Sequence, residues 1–141
     1  MKKLVLYIHG RNGSAAESGH YRPLFPDCTV MGLDYRASDP WEAGEEILAA
    51  VTRLRDRYDS IDIIANSIGA YFCMYGGIGG LIDRAYFISP IVDMERLILD
   101  MMARAGVTEA QLKSAGVIPS GSGEVLSWDY LCRVRRHPVR W

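Results

Sequence analysis

Charges of the two signs nearly cancel in this sequence, and cysteine is scarce. The net charge is −1, so the overall charge gives no reason to expect nucleic acid or an anionic membrane as partner. The three cysteines, Cys28, Cys73 and Cys132, lack C-x-x-C spacing, and their odd number argues against a disulfide framework. We therefore expect no nucleic-acid partner, no metal site and a cytoplasmic location.

Long hydrophobic runs are also missing. The N-terminus, MKKLVLYIHGRNG, has a basic head, but its apolar stretch is only about five residues long, whereas a secretory core needs roughly 7–15. Nothing approaches the run of about 20 apolar residues that crosses a bilayer. The sequence predicts neither a signal peptide nor a membrane span.

What the sequence does contain is the composition of one globular domain. Its 141 residues are 49% hydrophobic and 23% charged, enough to bury a single sizeable core. Short runs rich in strand-forming residues recur up to Pro90. The predicted strands are Leu4–Ile8, Thr29–Leu33, Ile61–Ala65 and Ala85–Ile88.

Helical segments separate these strands. A short helix and a loop are expected between Gly13 and Phe25. Asp39 begins the next helix as N-cap, with Pro40 in the first helical position and Glu42 completing a capping box. The apolar face expected for this helix consists of Ile47, Leu48, Val51 and Leu54.

The segment Ser67–Tyr75 is apolar almost all round, which predicts a buried helix. Strands and helices thus alternate with short connections. This pattern predicts an α/β fold with a doubly wound parallel sheet.

The alternation stops after Pro90. Ile91–Ala105, Thr108–Ala115 and Val125–Arg136 are predicted helices, and no further strand is expected. We therefore divide the chain into an α/β core, residues 1–90, and a helical segment, residues 91–141.

Ser67 lies in the stretch ANSIG, directly after a predicted buried strand. Small residues two positions before and after it allow a sharp strand-to-helix turn that projects the hydroxyl. The pattern approaches G-x-S-x-G, with Ala65 in place of the first glycine. Taken alone, it is about equally typical of a serine that caps an ordinary helix.

A second motif, HGRNGS, follows the first predicted strand at residues 9–14. Parallel strands end at one edge of a sheet, where ligands bind in open α/β folds, so we expect the two loops to share that edge. Backbone N–H groups from both loops can then converge on one oxygen, as an oxyanion hole requires. This arrangement favours Ser67 as a nucleophile.

With both motifs in this order, the sequence resembles the α/β-hydrolase superfamily over roughly residues 2–93. LVLYIHGRNGS is similar to its strand and oxyanion loop, IDIIANSIGAYFCMY to its nucleophile elbow, and RAYFISPIVD to the next strand. The resemblance implies that Ser67 is the nucleophile and that the N–H groups of Arg11 and Ile68 form the oxyanion hole. It also implies a structural role for His9 and a helical cap, or part of one, over Ile91–Arg136.

The sequence departs from the family at the acid and the histidine. In the family these follow later strands, in the order Ser, Asp/Glu, His, and no such strands are predicted here. Asp93 is a candidate acid, although its place at a helix start favours a role toward the helix dipole. His137 has the right order for the base but no strand before it, and His20 is expected at the surface or at a pocket rim.

We therefore expect the front part of a longer hydrolase, whose missing part carries the acid, the histidine and the last strands. A sheet that ends at Ala85–Ile88 would expose a hydrophobic edge, which natural proteins avoid. A second copy of the chain, in a homodimer, or the remainder of a longer chain would cover it.

Two further motifs have simpler interpretations. GGIGG, at residues 76–80, follows a helix, so it predicts a helix C-cap and a tight turn instead of a phosphate loop. The basic end of the chain predicts a solvated helix terminus instead of a nucleic-acid surface. Its residues are Arg133, Arg135, Arg136 and Arg140.

The sequence thus predicts a serine hydrolase acting on carboxylic esters or related acyl bonds of a small molecule, with no metal or organic cofactor. Two alternatives stay open. One is a catalytically incomplete hydrolase-like protein that binds a ligand or partner. The other is an unrelated doubly wound binding domain in which Ser67 is a phosphate-contacting cap.

Overall fold

Four parallel strands form the sheet that carries both motifs, in the spatial order β2-β1-β3-β4. The structure is a computed structural model that describes residues 1–141. The strands are β1 (Lys3–Ile8), β2 (Thr29–Gly32), β3 (Ser60–Asn66) and β4 (Arg84–Ile88). The predicted α/β class with a parallel sheet is confirmed.

The chain divides into two compact units. The first comprises residues 1–92 and 139–141, and the second comprises residues 93–138. The sheet and its helices belong to the first unit.

Both faces of the sheet are covered. Every residue from Leu4 to Ile8 in β1 is buried, which explains why this strand is apolar along its whole length. On one face, Val5, Tyr7 and their buried neighbours pack against side chains from residues 21–28. On the other face lies α2 (Ile68–Gly76), whose Gly69 contacts the end of β1.

Helix α1 (Pro40–Arg55) begins as predicted. The Asp39 carboxylate accepts a hydrogen bond of 2.7 Å from the Glu42 N–H, and Pro40 occupies the first turn. Its buried face differs at one position: Leu48 is 37% exposed. The buried face of α1 includes small residues, and Leu48 lies beside this face. The buried residues are Ala43, Gly44, Ile47, Ala50, Val51 and Leu54.

Helix α2 ends at GGIGG as predicted, because Gly77 is a left-handed C-cap with φ 69°. Residues 13–25 contain two short 3₁₀ helices, Ala15–His20 and Arg22–Leu24, and a third covers Ile78–Leu81. No helix of the structure combines the length and hydropathy that a bilayer crossing requires.

The second unit corrects the expectation that no strand follows Pro90. It contains α3 (Met94–Ala105), α4 (Glu109–Ala115), β5 (Val117–Pro119), β6 (Val125–Ser127) and α5 (Trp128–Arg136). β5 and β6 pair antiparallel. The prediction of a helix from Val125 was wrong for its first three residues, which form β6. Gly121 and Gly123, both at positive φ, reverse the chain direction before β6, so that it can pair with β5. The helix starts only after Ser127, whose hydroxyl accepts from the Tyr130 N–H.

Arg135 holds the helices of the second unit together. Its guanidinium binds both carboxylate oxygens of Glu109, at 2.6 and 2.9 Å, and it also binds Glu95. These contacts join α3, α4 and α5, and the bond from Arg135 lowers the pKa of Glu109. Arg135 is therefore an ion-pair residue and not part of a purely solvated terminus.

Strand β4 lies at the edge of the sheet. Its Tyr86 and Ile88 are 42% and 39% exposed, whereas Phe87 packs edge-on against Trp141. A homodimer that covers this edge stays a prediction.

Candidate active site

Strands β1 and β3 bring the two motifs to one edge of the sheet. They pair in parallel, and Ile8 lies opposite Ala65 at their carboxyl ends. The HGRNGS turn and the ANSIG turn therefore leave the sheet side by side.

Ser67 has an unusual backbone conformation, with φ 55° and ψ −118°. Non-glycine residues adopt positive φ at a cost, and here only Asn12, Ser67 and Ser89 do so. Ser67 occupies the N-cap position of α2, yet its side chain makes no cap hydrogen bond. Ser67 thus caps α2 by position, without the side-chain hydrogen bond that is typical of a serine cap.

The end of β4 holds this conformation in place. The Ser67 N–H donates to the Ile88 carbonyl at 2.9 Å, and the Ile91 N–H donates to the Ser67 carbonyl at 3.2 Å. A strained backbone persists only where surrounding contacts fix it, and these two bonds supply such contacts.

Gly69 explains why the position two residues after the serine must be small. A Cβ atom there would lie 2.5 Å from the His9 carbonyl oxygen and 2.8 Å from that of Ile8. Only a hydrogen fits, so α2 starts in direct contact with the end of β1. On the other side of the serine, Ala65 is fully buried, which accounts for a small residue there too.

The HGRNGS turn lies directly against Ser67. It closes with a 3.1 Å bond from the Gly13 N–H to the Gly10 carbonyl, with Asn12 at φ 59°. A Cβ atom on Gly10 would lie 3.4 Å from the Ser67 Cβ and 3.2 Å from the Asn66 carbonyl oxygen. The glycine at this position thus allows the two loops to touch.

Three of the predicted site residues therefore come from these adjoining loops: Arg11, Ser67 and Ile68. Ile68 is the first residue of α2, and the N–H groups of a helix's first turn have no acceptor within the helix. Such N–H groups, at the positive end of the helix dipole, favour an anion. Arg11 follows Gly10 in the turn that abuts Ser67.

His9 is held by its neighbours. Its ring stacks on Tyr35 with centroids 4.2 Å apart, and its Nδ1 lies 2.7 Å from the Gly10 carbonyl oxygen. The Tyr35 hydroxyl donates to the His9 carbonyl at 2.7 Å. These contacts agree with the structural role that the family resemblance implies for His9.

The candidate acid and base, Asp93 and His137, both belong to the second unit. Asp93 is the N-cap of α3, and its carboxylate accepts from the Arg96 N–H at 3.0 Å. His137 is the exposed C-cap of α5, and His20 is exposed at the end of a 3₁₀ helix. No three His, Cys, Asp or Glu side chains converge on a point where they could hold a metal ion.

The sequence reasoning missed one polar contact in this region. The Glu17 carboxylate accepts from the Tyr7 hydroxyl at 2.9 Å and from the Ser14 N–H at 3.3 Å. Burial, then the bond to Glu17, raises the pKa of Tyr7 to about 12. The signal was available, since serine followed three residues later by glutamate is a helix-start pattern.

Comparison with known proteins gives fold-level likeness only. No protein-family model matches the chain, and no curated protein does. Among solved structures, the mature lipase BlEst2 of Bacillus licheniformis matches with a TM-score of 0.60 and 13% identity, over 96% of this chain and 58% of the lipase. A variant of the N-formylmaleamic acid deformylase Nfo of Pseudomonas putida S16 matches with a TM-score of 0.52 and 14% identity, over 81% of this chain and 53% of that protein.

The likeness shows that this chain shares the fold of the matched parts of a lipase and of a deformylase. The chain spans somewhat more than half the length of each.

Proposed function

We propose that this chain carries the nucleophile and oxyanion loop of a serine hydrolase that acts on carboxylic esters or related acyl bonds. One observation carries the proposal. Ser67 is held at φ 55° with its hydroxyl free of any cap bond, while Gly10 of the neighbouring turn lies against its side chain. A serine that only began a helix would need neither the strain nor the adjoining turn.

The chemistry follows the general scheme of acyl transfer. The Ser67 Oγ attacks the substrate carbonyl carbon as a base takes its proton, and the carbonyl oxygen becomes an oxyanion. The backbone N–H groups of Ile68 and Arg11 would donate to that oxygen. Collapse of the intermediate expels the alcohol, which takes the proton from the base, and water then hydrolyses the acyl-serine.

We propose no residue in contact with Ser67 as the base or as the acid that orients the base. Within this chain Asp93 and His137 remain the candidates, and in the family that the sequence resembles both roles follow later strands. Loss of the base normally costs many orders of magnitude in acyl transfer, although an oxyanion hole retains some rate.

One observation favours the alternative of a catalytically incomplete hydrolase-like module. In the first unit, the His9 ring contacts the Gly10 carbonyl oxygen and stacks on Tyr35, and His20 is exposed. Neither histidine is hydrogen-bonded to Ser67. Such a module would bind a ligand or partner on the same loops without turnover.

A fluorophosphonate probe tests the nucleophile, because it reacts covalently with an activated serine. We expect the complete gene product to be labelled and Ser67→Ala to lose the label. Ser89→Ala is the matched control, since Ser89 is the other serine at positive φ and is exposed directly after the next strand. Labelling that survives in Ser67→Ala, or no labelling of the complete protein, would refute the proposal.

The isolated 141-residue chain should label weakly or not at all. Vigorous turnover of a p-nitrophenyl ester by this chain would show that it contains its own base.

Asp93 is tested by comparing two variants. Asparagine caps helices about as well as aspartate, so Asp93→Asn should leave the free energy of unfolding nearly unchanged, whereas Asp93→Ala should lower it by about 1 kcal/mol. A large fall in kcat for Asp93→Asn would identify a catalytic acid. Unchanged kcat would leave Asp93 with its capping role.

A further inference from the structure

The turn that carries Arg11 is short and exposed, so something must fix its position if its N–H is to meet an oxyanion. Arg11 and Asn12 are exposed, and a backbone bond from the Gly13 N–H to the Gly10 carbonyl closes the turn. Hydrogen-bond donors stabilise a transition state only when they are already in place, because reorganising them during the reaction costs free energy.

The Glu17 carboxylate contacts both sides of this turn. Its Oε1 accepts from the Tyr7 hydroxyl, on the strand that leads into the turn, and from the Ser14 N–H, on the segment that leaves it. Gly13 lies so close that a Cβ atom there would come within 2.6 Å of the same oxygen. One carboxylate oxygen thus joins the entry and the exit of the turn.

The Tyr7 ring and the segment that carries Glu17 are both packed against the sheet. Tyr7 is 2% exposed near the end of β1, and its ring packs against Tyr21 with centroids 5.4 Å apart. The 3₁₀ helix that carries Glu17 presses on β2, since a Cβ atom on Gly32 would overlap the Ala15 carbonyl. Ser18, the next residue, is 3% exposed.

Hydrogen bonds to an ionised carboxylate are stronger than neutral ones, and they gain strength where water is partly excluded. Glu17 is half-buried, and the Tyr7 ring that carries the donor hydroxyl is buried. The carboxylate therefore ties the turn to the rigid strand.

We propose that Glu17 and Tyr7 are positioning residues, which fix the Gly10–Gly13 turn against Ser67 and thereby place the Arg11 N–H for the oxyanion. This inference rests on the proposed hydrolase function. Neither side chain is assigned contact with substrate.

The test uses kinetics of the complete protein on a p-nitrophenyl ester. Tyr7→Phe keeps the buried ring and removes the donor, and Glu17→Ala removes the acceptor. A displacement of about 1 Å can cost on the order of 100-fold in rate, so we expect kcat to fall by about 10- to 100-fold while KM changes less than about threefold. Glu17→Gln, which keeps an acceptor oxygen, should recover part of the loss.

Matched controls separate positioning from general damage. Tyr21→Phe removes a neighbouring hydroxyl that does not bind Glu17, and Glu45→Ala removes an exposed carboxylate on α1. Both should keep kcat and KM near wild type. Unchanged kcat in Tyr7→Phe and Glu17→Ala would overturn the inference, and so would a loss of kcat that only parallels a fall in melting temperature.

A second readout does not depend on catalysis. Amide hydrogen exchange at Gly13 and Ser14 should speed up by about tenfold in Glu17→Ala and stay unchanged in Glu45→Ala. If the wild-type protein neither hydrolyses esters nor labels at Ser67, the proposed function fails, and this exchange alone decides whether Glu17 fixes the turn. Equal exchange in both variants would overturn that role as well.

Discussion

At the scale of the residue, Ser67 combines a strained backbone with a hydroxyl that the fold does not use. Its φ of 55° is uncommon for any residue with a Cβ atom, and the hydroxyl makes no cap bond with α2. Ser67 therefore adds strain to the folded state without a side-chain cap hydrogen bond to compensate for it. Such strain is found most often at functional sites.

This strain predicts that glycine at position 67 gives a more stable protein than alanine does, the reverse of the order at an unstrained position. Glycine adopts positive φ freely, which removes about 1–3 kcal/mol of strain, although its flexibility in the unfolded chain offsets about 0.5–1 kcal/mol. We expect Ser67→Gly to be more stable than Ser67→Ala by about 1 kcal/mol in urea denaturation. A glycine variant that is equally or less stable would contradict the strain argument.

The sequence predicted the nucleophile candidate but not what fixes the loop beside it. The small residues around Ser67 are a local pattern, so they were visible. The bond between Tyr7 and Glu17 was not, because Tyr7 looks like any apolar residue of a buried strand, and only the folded chain brings its hydroxyl to a carboxylate. The sequence spacing predicts only the hydrogen bond between Glu17 and Ser14, which lies three residues before it.

At the scale of the element, α2 and β1 meet with no room for a side chain. Gly69 touches the backbone of His9 and Ile8, so the start of the helix and the end of the strand are set by one contact. The same contact places the HGRNGS turn beside the serine.

Gly69→Ala is therefore expected to lower the free energy of unfolding by about 1–3 kcal/mol, the usual cost of overpacking. Gly19→Ala is the control, because nothing lies within 4 Å of a Cβ atom there, and it should change stability by less than about 0.5 kcal/mol. Equal effects of the two substitutions in chemical denaturation would show that the close contact is not rigid.

The elements themselves were predicted unevenly. Strands β1, β3 and β4 and helix α1 follow from clear hydrophobic patterns and an N-cap, whereas the pattern of β2 is weaker. The β5–β6 hairpin was missed because each strand has only three residues, too few for a period to show. The exposure of Leu48 was missed for another reason, since the buried stripe is set by where α1 meets its neighbours and small residues line that contact.

At the scale of the whole molecule, two buried tyrosine hydroxyls and one buried thiol make the free energy of unfolding depend on pH in the alkaline range. Burial raises the pKa of Tyr7 to about 12, and it also raises the pKa of Tyr35 and of the Cys73 thiol. In the unfolded chain these groups ionise near their ordinary values of 9.0 for cysteine and 10.0 for tyrosine.

Above about pH 9 the unfolded chain thus binds fewer protons than the folded one, so the free energy of unfolding must fall as pH rises. We expect the contribution of these three groups to the free energy of unfolding to be fully present just below pH 9 and to be lost progressively towards pH 12, measured by urea denaturation at several pH values. Tyr7→Phe should show a smaller loss between pH 10 and 12. A flat profile over this range would contradict the burial of these groups.

The bonds around Ser67 also have a consequence for synthesis on the ribosome. Every backbone contact that holds the serine turn, from β1 to the Ile91 N–H, lies within residues 1–92. Chains emerge N-terminus first, so the turn can form before the second unit has been translated. Strand β4 is an open edge with exposed Tyr86 and Ile88, so pairing between the edges of neighbouring nascent chains is a hazard during synthesis.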